Sequence, residues 1–219
     1  MQGPQPQKMG VDTHAWATSV TLANLVNVFY EYRDATSLPD VRKVLIIGVT
    51  NGVEAAFLRS RNFSVTTFDI DPTFSPDEVG SCDDLSRFSE MQFDLVIASH
   101  VIEHLPVTRL ENALRELARV GRHCLIYLPV AGRHMSIRVS IGTRRVFTLV
   151  LDFIPFWHRP TGVDRIYRFN EHYWEVGYRG YRKKQLRLLL AKYFVIRADY
   201  RNKDWLPSYN FVLSSLVGR

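Results

Sequence analysis

One stretch limits what this 219-residue chain can fold into more than any other: Lys43-Val44-Leu45-Ile46-Ile47-Gly48-Val49-Thr50-Asn51-Gly52-Val53-Glu54-Ala55-Ala56-Phe57-Leu58. Four consecutive apolar residues closed by a glycine read as a strand buried on both faces, the kind found inside a parallel sheet. A helix is expected at once. Asn51 suits an N-cap, Glu54 follows at capping-box spacing, and Val53, Ala56 and Phe57 share one helical face. The turn between them has glycine at both ends, so its backbone can approach a ligand while the helix N-terminus offers N–H groups to an anion. A second strand, residues 64–69, ends in Asp69, 21 positions beyond Gly48. A doubly wound fold holds a ribose diol at that point. The dinucleotide fingerprint needs three glycines, and the turn has only Gly48 and Gly52, so that reading is weak.

On these residues the chain resembles the class I S-adenosylmethionine (SAM)-dependent methyltransferases. Gly48, Thr50 and Gly52 stand where that family's first motif has three glycines, and Ile46 stands at its acidic position, so two of the four positions depart from the pattern. Asp69-Ile70-Asp71-Pro72 resembles the acidic second motif. Phe93-Asp94-Leu95-Val96-Ile97-Ala98-Ser99-His100-Val101-Ile102-Glu103-His104-Leu105 resembles the fourth-strand motif, including its Glu-His-Leu ending. The resemblance implies an α/β fold: a Rossmann-like, doubly wound, seven-stranded sheet with its last strand antiparallel and a lid inserted after the fifth strand. It also implies SAM as cofactor and S-adenosylhomocysteine as product. Gly48, Val49, Thr50 and Gly52 would shape the turn beside the methionine part, and Asp69 with Ile70 would form the ribose end. Gly80-Ser81-Cys82-Asp83-Asp84-Leu85 is similar to the family's adenine-side segment, which makes Asp83 a candidate there. Ser99 would face the cofactor's reactive end.

The rest of the chain fits one domain. Residues 1–12 are polar and Pro-containing and read as a disordered tail; residues 13–219 read as a single domain, too short for two enzyme units. Apolar residues between 13 and 33 predict a leading helix or helix pair. Thr108 and Glu111 predict a capping box, Leu110, Ala113, Leu114 and Leu117 one buried helical face, and Gly121 the helix end. The fifth strand follows at 123–130, a helix at 183–193 and two closing strands at 195–200 and 209–213. Cys82 and Cys124 are too few for a disulfide framework and read as buried small hydrophobes in a reducing compartment. No secretory leader is expected, and the most apolar run, residues 146–157, is interrupted and short of the ~20 residues of a spanning helix. The localisation expected is cytoplasmic, with peripheral contact at a membrane surface left open.

Residues 131–180 break the alternation and read as a substrate lid. The net charge of +6 is concentrated here: twelve arginines and lysines lie between Arg133 and Arg187 against four acids. The basic, apolar segment 138–159 could lie on an anionic membrane surface and reach lipid-linked substrates, could be a core helix with snorkelling arginines, or could join a nucleic-acid footprint. Nucleic acid is the weaker partner, because no RNA-binding module accompanies it.

Two clusters can carry acid–base chemistry. His100, Glu103 and His104 lie within one turn past the fourth strand; similar Glu-His endings hold a divalent metal in some O-methyltransferases, although here they are read as tying the loop down, with no metal ligands assigned. Residues 169–181 supply His172, Glu175 and five aromatics, either a base over an aromatic floor or a segment packed on the domain. Histidine suits proton removal near neutral pH, so His104 and His172 are the candidates for base or acceptor positioning. The expectation is methyl transfer to an oxygen of a small molecule, sugar or lipid-linked glycan. The rival readings are an RNA methyltransferase using the basic lid and a non-catalytic relative that has lost its cofactor.

Overall fold

The computed structural model describes residues 20–141, 145–153 and 172–217. The expected tail, the first part of the leading helix, the Arg144 and Arg159 positions and the lid residues 154–171 lie outside the described residues. In chain order the elements are α1 Leu22–Ser37, β1 Lys43–Ile47, α2 Val53–Ser60, β2 Ser64–Asp69, β3 Glu78–Val79, β4 Phe93–Ser99, α3 Val107–Val120, β5 Gly121–Pro129, β6 Arg133–Ile141, β7 Arg145–Phe153, α4 Lys183–Leu190, β8 Phe194–Arg201 and β9 Ser208–Ser215.

Seven strands form one sheet in the order β3-β2-β1-β4-β5-β9-β8, with β9 antiparallel to both neighbours. β1 lies inside it, between and parallel to β2 and β4. The apolar run that predicted this strand divides by its two-residue period: Leu45 and Ile47 enter the core on one face, Val44 and Ile46 the core on the other. Val96 and Ala98 of β4 join the first core, Leu95 and Ile97 the second. α3 and α4 cover the first face with Leu110, Leu114, Leu117, Leu186 and Leu190, while α1 and α2 cover the other with Ala35, Ala55 and Leu58. A strand buried from both sides gains roughly 1.5–3 kcal/mol per large aliphatic side chain, which is why the sheet centre, and not helix propensity, fixes this architecture.

Several local expectations are corrected. α2 is capped by Gly52, and Asn51 accepts a hydrogen bond from the Val53 N–H one residue further on. Glu54 does not close a capping box; its carboxylate is drawn to Glu31 of α1. α3 likewise starts after Pro106 with no side-chain cap, because Glu111 is taken by Lys192 and Tyr193 across the surface. Gly121 does end α3, but in extended backbone; a Cβ there would lie 2.5 Å from Val96 Cγ2.

The lid is not devoid of sheet pattern. β6 and β7 make a separate antiparallel hairpin, from Arg133 opposite Phe153 to Ile141 opposite Arg145. Its described part is therefore not a core helix. Met135, Ile137, Val139, Phe147, Leu149 and Leu151 fall on one side of the hairpin and are exposed. Arg138 anchors the other side to Asp204 in the β8–β9 connection, 2.8 Å away. The far end of the lid is stitched to the sheet: Val176 exchanges backbone hydrogen bonds with Pro129 and Ala131. Trp174 and Tyr178 are fully buried there, Trp174 stacked on Tyr181 at 5.0 Å. Trp174 and Tyr178 thus pack the domain. No helix among the described residues is long and apolar enough to cross a membrane.

Candidate active site

Because β2, β1 and β4 are adjacent and parallel, their carboxyl ends place Asp69, the Gly48–Gly52 turn and Ser99 side by side along one edge. The turn is bent by three residues in left-handed backbone: Gly48 at φ 85°, Thr50 at φ 42° and Gly52 at φ 71°. Thr50 thus keeps the path of a glycine although it is β-branched, a conformation costing roughly 1–2 kcal/mol. Its side chain is exposed and leaves the turn open. Gly48 has no such latitude, since a Cβ would meet Val101 Cγ2 at 2.5 Å. A Cβ on Gly52 would point into space with no protein atom within 4 Å. The geometry is that of a cradle over which a ligand can lie against backbone.

Asp69 holds the turn to the sheet. One carboxylate oxygen accepts the Val49 N–H at 2.7 Å and the other the Asp71 N–H at 2.9 Å. Each oxygen retains a second lone pair, so a diol can still donate to this carboxylate. Ile70, beside it, is an isoleucine 68% exposed at the same edge, an apolar surface for a flat group. Asp83 is differently occupied: Arg109 clasps both its oxygens and the Ser81 hydroxyl donates to one of them. Hydrogen bonds from Ser81 and Arg109 outweigh partial burial and hold this carboxyl below its ordinary range. Arg109 was not among the sequence candidates, and its grip leaves Asp83 occupied within the protein.

Past Ser99 the chain turns through His100, itself at φ 55°, into a short 3-10 turn over Ile102–His104. Glu103 is fully buried and neither of its carboxylate oxygens has a hydrogen-bond partner. Burial raises its pKa to about 7. His100 Nδ1 lies 3.7 Å from Glu103 and His172 Nε2 lies 3.9 Å away, while the His104 and His172 rings meet edge to face at 4.7 Å. Burial, with the His172 and His104 rings close by, lowers the pKa of His100 to about 3, so its ring is neutral. The structure therefore brings together the two sequence candidates, His104 and His172, with Glu103 between α3 and the lid. His172 is steered by Glu175, whose carboxylate lies 2.7 Å from Nδ1. A carboxylate only accepts, so Nδ1 carries a hydrogen, and Nε2 is the ring nitrogen that faces Glu103. Candidate ligand atoms of Glu103, His104 and His172 all lie within 4.8 Å of one another, and the orphaned buried carboxylate fits a divalent cation there.

Sequence reasoning missed Glu31, which is buried in α1 beside Ser99 and Glu54. A signal was present: Glu31 shares a helical face with the buried Val28 and Ala35, an acid where the period calls for an apolar residue.

Comparison with known proteins agrees with this geometry. Residues 45–123, from β1 to the start of β5, match the family described as a methyltransferase domain. Among curated proteins no sequence match is found. Solved structures share the fold at low identity. The N-methyltransferase NodS from Bradyrhizobium japonicum, in complex with S-adenosyl-L-homocysteine, is 12% identical over 92% of this chain and 91% of its own, with a TM-score of 0.57. The sugar N-methyltransferase KedS8 from a Streptoalloteichus species is 12% identical over 98% and 97%, TM-score 0.58. A protein from Pyrococcus horikoshii is 15% identical over 91% and 93%, TM-score 0.57. Residues 45–123 therefore carry a methyltransferase-domain match within a fold shared with these solved structures.

Two stability measurements test the site geometry. Thr50→Gly relieves a β-branched residue from left-handed backbone and should raise unfolding free energy by about 1 kcal/mol, whereas Gly48→Ala should lower it by more than that through the Val101 contact. For Glu103, a carboxyl with a folded pKa above its unfolded one, the native state binds the proton more tightly, so its favourable contribution is complete below about pH 4.5 and is lost as pH rises toward about 7. In denaturant titrations with chelator present, Glu103→Gln should therefore gain on the wild type between these pH values, by something on the order of 2–3 kcal/mol.

Proposed function

We propose that the protein transfers the methyl group of SAM to a hydroxyl oxygen on a small molecule, a sugar or a lipid-linked glycan. The observation that carries this reading is the Glu103–His104–His172 cluster at the carboxyl end of β4, next to the edge where the cofactor's reactive end would lie. When bound, SAM supplies an electrophilic methyl carbon that an oxygen attacks in line as the carbon–sulfur bond breaks. An alcohol must lose its proton in that displacement, whereas an amine can attack through its existing lone pair; buried imidazoles serve the first case. His172, oriented by Glu175, presents Nε2 as the proton acceptor, and His104, edge to face with it, lines the same space. Gly48, Val49, Thr50 and Gly52 would carry the methionine part and Asp69 and Ile70 the ribose and adenine end, with Ser99 beneath the sulfur. Asp83, clasped by Arg109, would act by shaping the adenine wall and not by a free carboxylate.

The exposed apolar side of the β6–β7 hairpin supports a lipid-linked acceptor with peripheral membrane contact, because a surface of this kind with arginines beside it can rest at a lipid interface.

The test is transfer of radiolabelled methyl from SAM to a panel of sugars, lipid-linked glycans, amines and generic RNA, with and without magnesium, manganese or chelator. The expected result is label on a hydroxyl oxygen, with His172→Ala lowering kcat by roughly 100-fold or more while S-adenosylhomocysteine affinity is unchanged. Label on nitrogen or RNA alone, or full turnover by His172→Ala, would contradict it.

A further inference from the structure

The carboxyl edge of the sheet holds a second acidic group that neither the fold nor the proposed base chemistry uses. Glu31, in the middle of α1, is 1% exposed, and Glu54 is the second residue of α2. One carboxylate oxygen of each, Glu31 Oε2 and Glu54 Oε1, is buried with no hydrogen-bond partner. The two side chains are hydrogen-bonded to each other, and Glu31 also interacts with the Ser99 hydroxyl at the end of β4. Burial, and for Glu54 the charge of Glu31, pushes both above the usual carboxyl range, so the pair keeps a proton between its two acids. Two adjacent carboxyls with vacant acceptor oxygens are costly to bury, and the cost falls when a cation with several N–H donors enters between them.

Topology says which cation can reach them. Asp69 ends β2, the Gly48–Gly52 turn ends β1 and Ser99 ends β4, in adjacent positions. A cofactor with its ribose on Asp69 and its amino-acid arm across the turn would bring that arm toward Ser99, which Glu31 adjoins together with Glu54. The sulfonium must face the acceptor, whereas the α-ammonium, with three donors, matches the two orphaned oxygens. β1 offers no acid of its own, since Ile46 is buried in the apolar core on the α1 and α2 side.

We propose that the Glu31–Glu54 pair is the binding site for the α-ammonium of the cofactor's amino-acid arm, supplied by the two helices in place of an acid on β1. The inference rests on SAM being the cofactor. Isothermal titration of the full chain with S-adenosylhomocysteine and with its deaminated analogue, which lacks only the amino group, separates the two claims. The wild type should bind S-adenosylhomocysteine at least tenfold more tightly than the analogue. Glu31→Gln and Glu54→Gln, which keep side-chain shape, should lose at least tenfold in affinity for S-adenosylhomocysteine and less than twofold for the analogue, with unfolding midpoints of the free protein not lowered. Should either variant fail to fold, the wild-type preference and Ser99→Ala, expected to reduce that preference, still decide. Equal affinity of the wild type for both ligands, or an equal loss of both in the variants, would overturn the ammonium site and leave the cofactor intact. Failure of the wild type to bind S-adenosylhomocysteine would overturn the cofactor itself.

Discussion

The Asp69 carboxylate accepts the Val49 N–H with one oxygen and the Asp71 N–H with the other, and through them it fixes the turn after β1 against the end of β2. Both bonds are charge-assisted and Asp69 is nearly buried, so they are stronger than neutral backbone bonds and resist competition from water. Everything else along this edge takes its position from the clamp. It allows a three-point left-handed turn to persist with a threonine in the middle, because the surrounding bonds over-determine a backbone that threonine alone would avoid. It also sets the first residue of α2 and thereby the height at which Glu54 meets Glu31.

From that clamp the edge divides by chemistry. The β2 side offers oxygens and an exposed isoleucine to a diol and a flat ring. The α1–α2 side offers buried acid, and the β4 side offers imidazoles around an acid with no hydrogen-bond partner of its own. Such separation suits a ligand that is neutral at one end and cationic at the other, and an acceptor that must give up a proton. Glu103 and the Glu31–Glu54 pair are raised by the same cause, burial. Tyr127 donates to Asp34 and Ser215 to the Ala118 carbonyl, whereas each of these acids keeps at least one buried oxygen without a hydrogen-bond partner.

The sheet was legible in the sequence because its signals are local. An apolar run between polar ends, a glycine turn and a carboxylate 21 positions on need no knowledge of what packs elsewhere. The capping boxes failed for the opposite reason. Asn51–Glu54 and Thr108–Glu111 have the right spacing, yet both glutamates find stronger partners from distant segments, Glu31 in one case and Lys192 with Tyr193 in the other. That Asp83 is already paired was invisible in the sequence, because Arg109 reaches it only once α3 has packed beside it. The hairpin was hidden because its apolar alternation was interleaved with arginines that suggested an amphipathic surface segment. His104 and His172 were legible as residue types, but their meeting depends on the lid returning to the end of β5 through Val176.

The most direct test of the whole arrangement is a crystal structure of the protein grown with S-adenosylhomocysteine. The expected result is ribose hydroxyls on the Asp69 carboxylate, the amino-acid arm crossing the Gly48–Gly52 turn, and the sulfur facing the space bounded by Glu103, His104 and His172. A ligand found with its sulfur turned away from that cluster, or bound elsewhere on the chain, would contradict it.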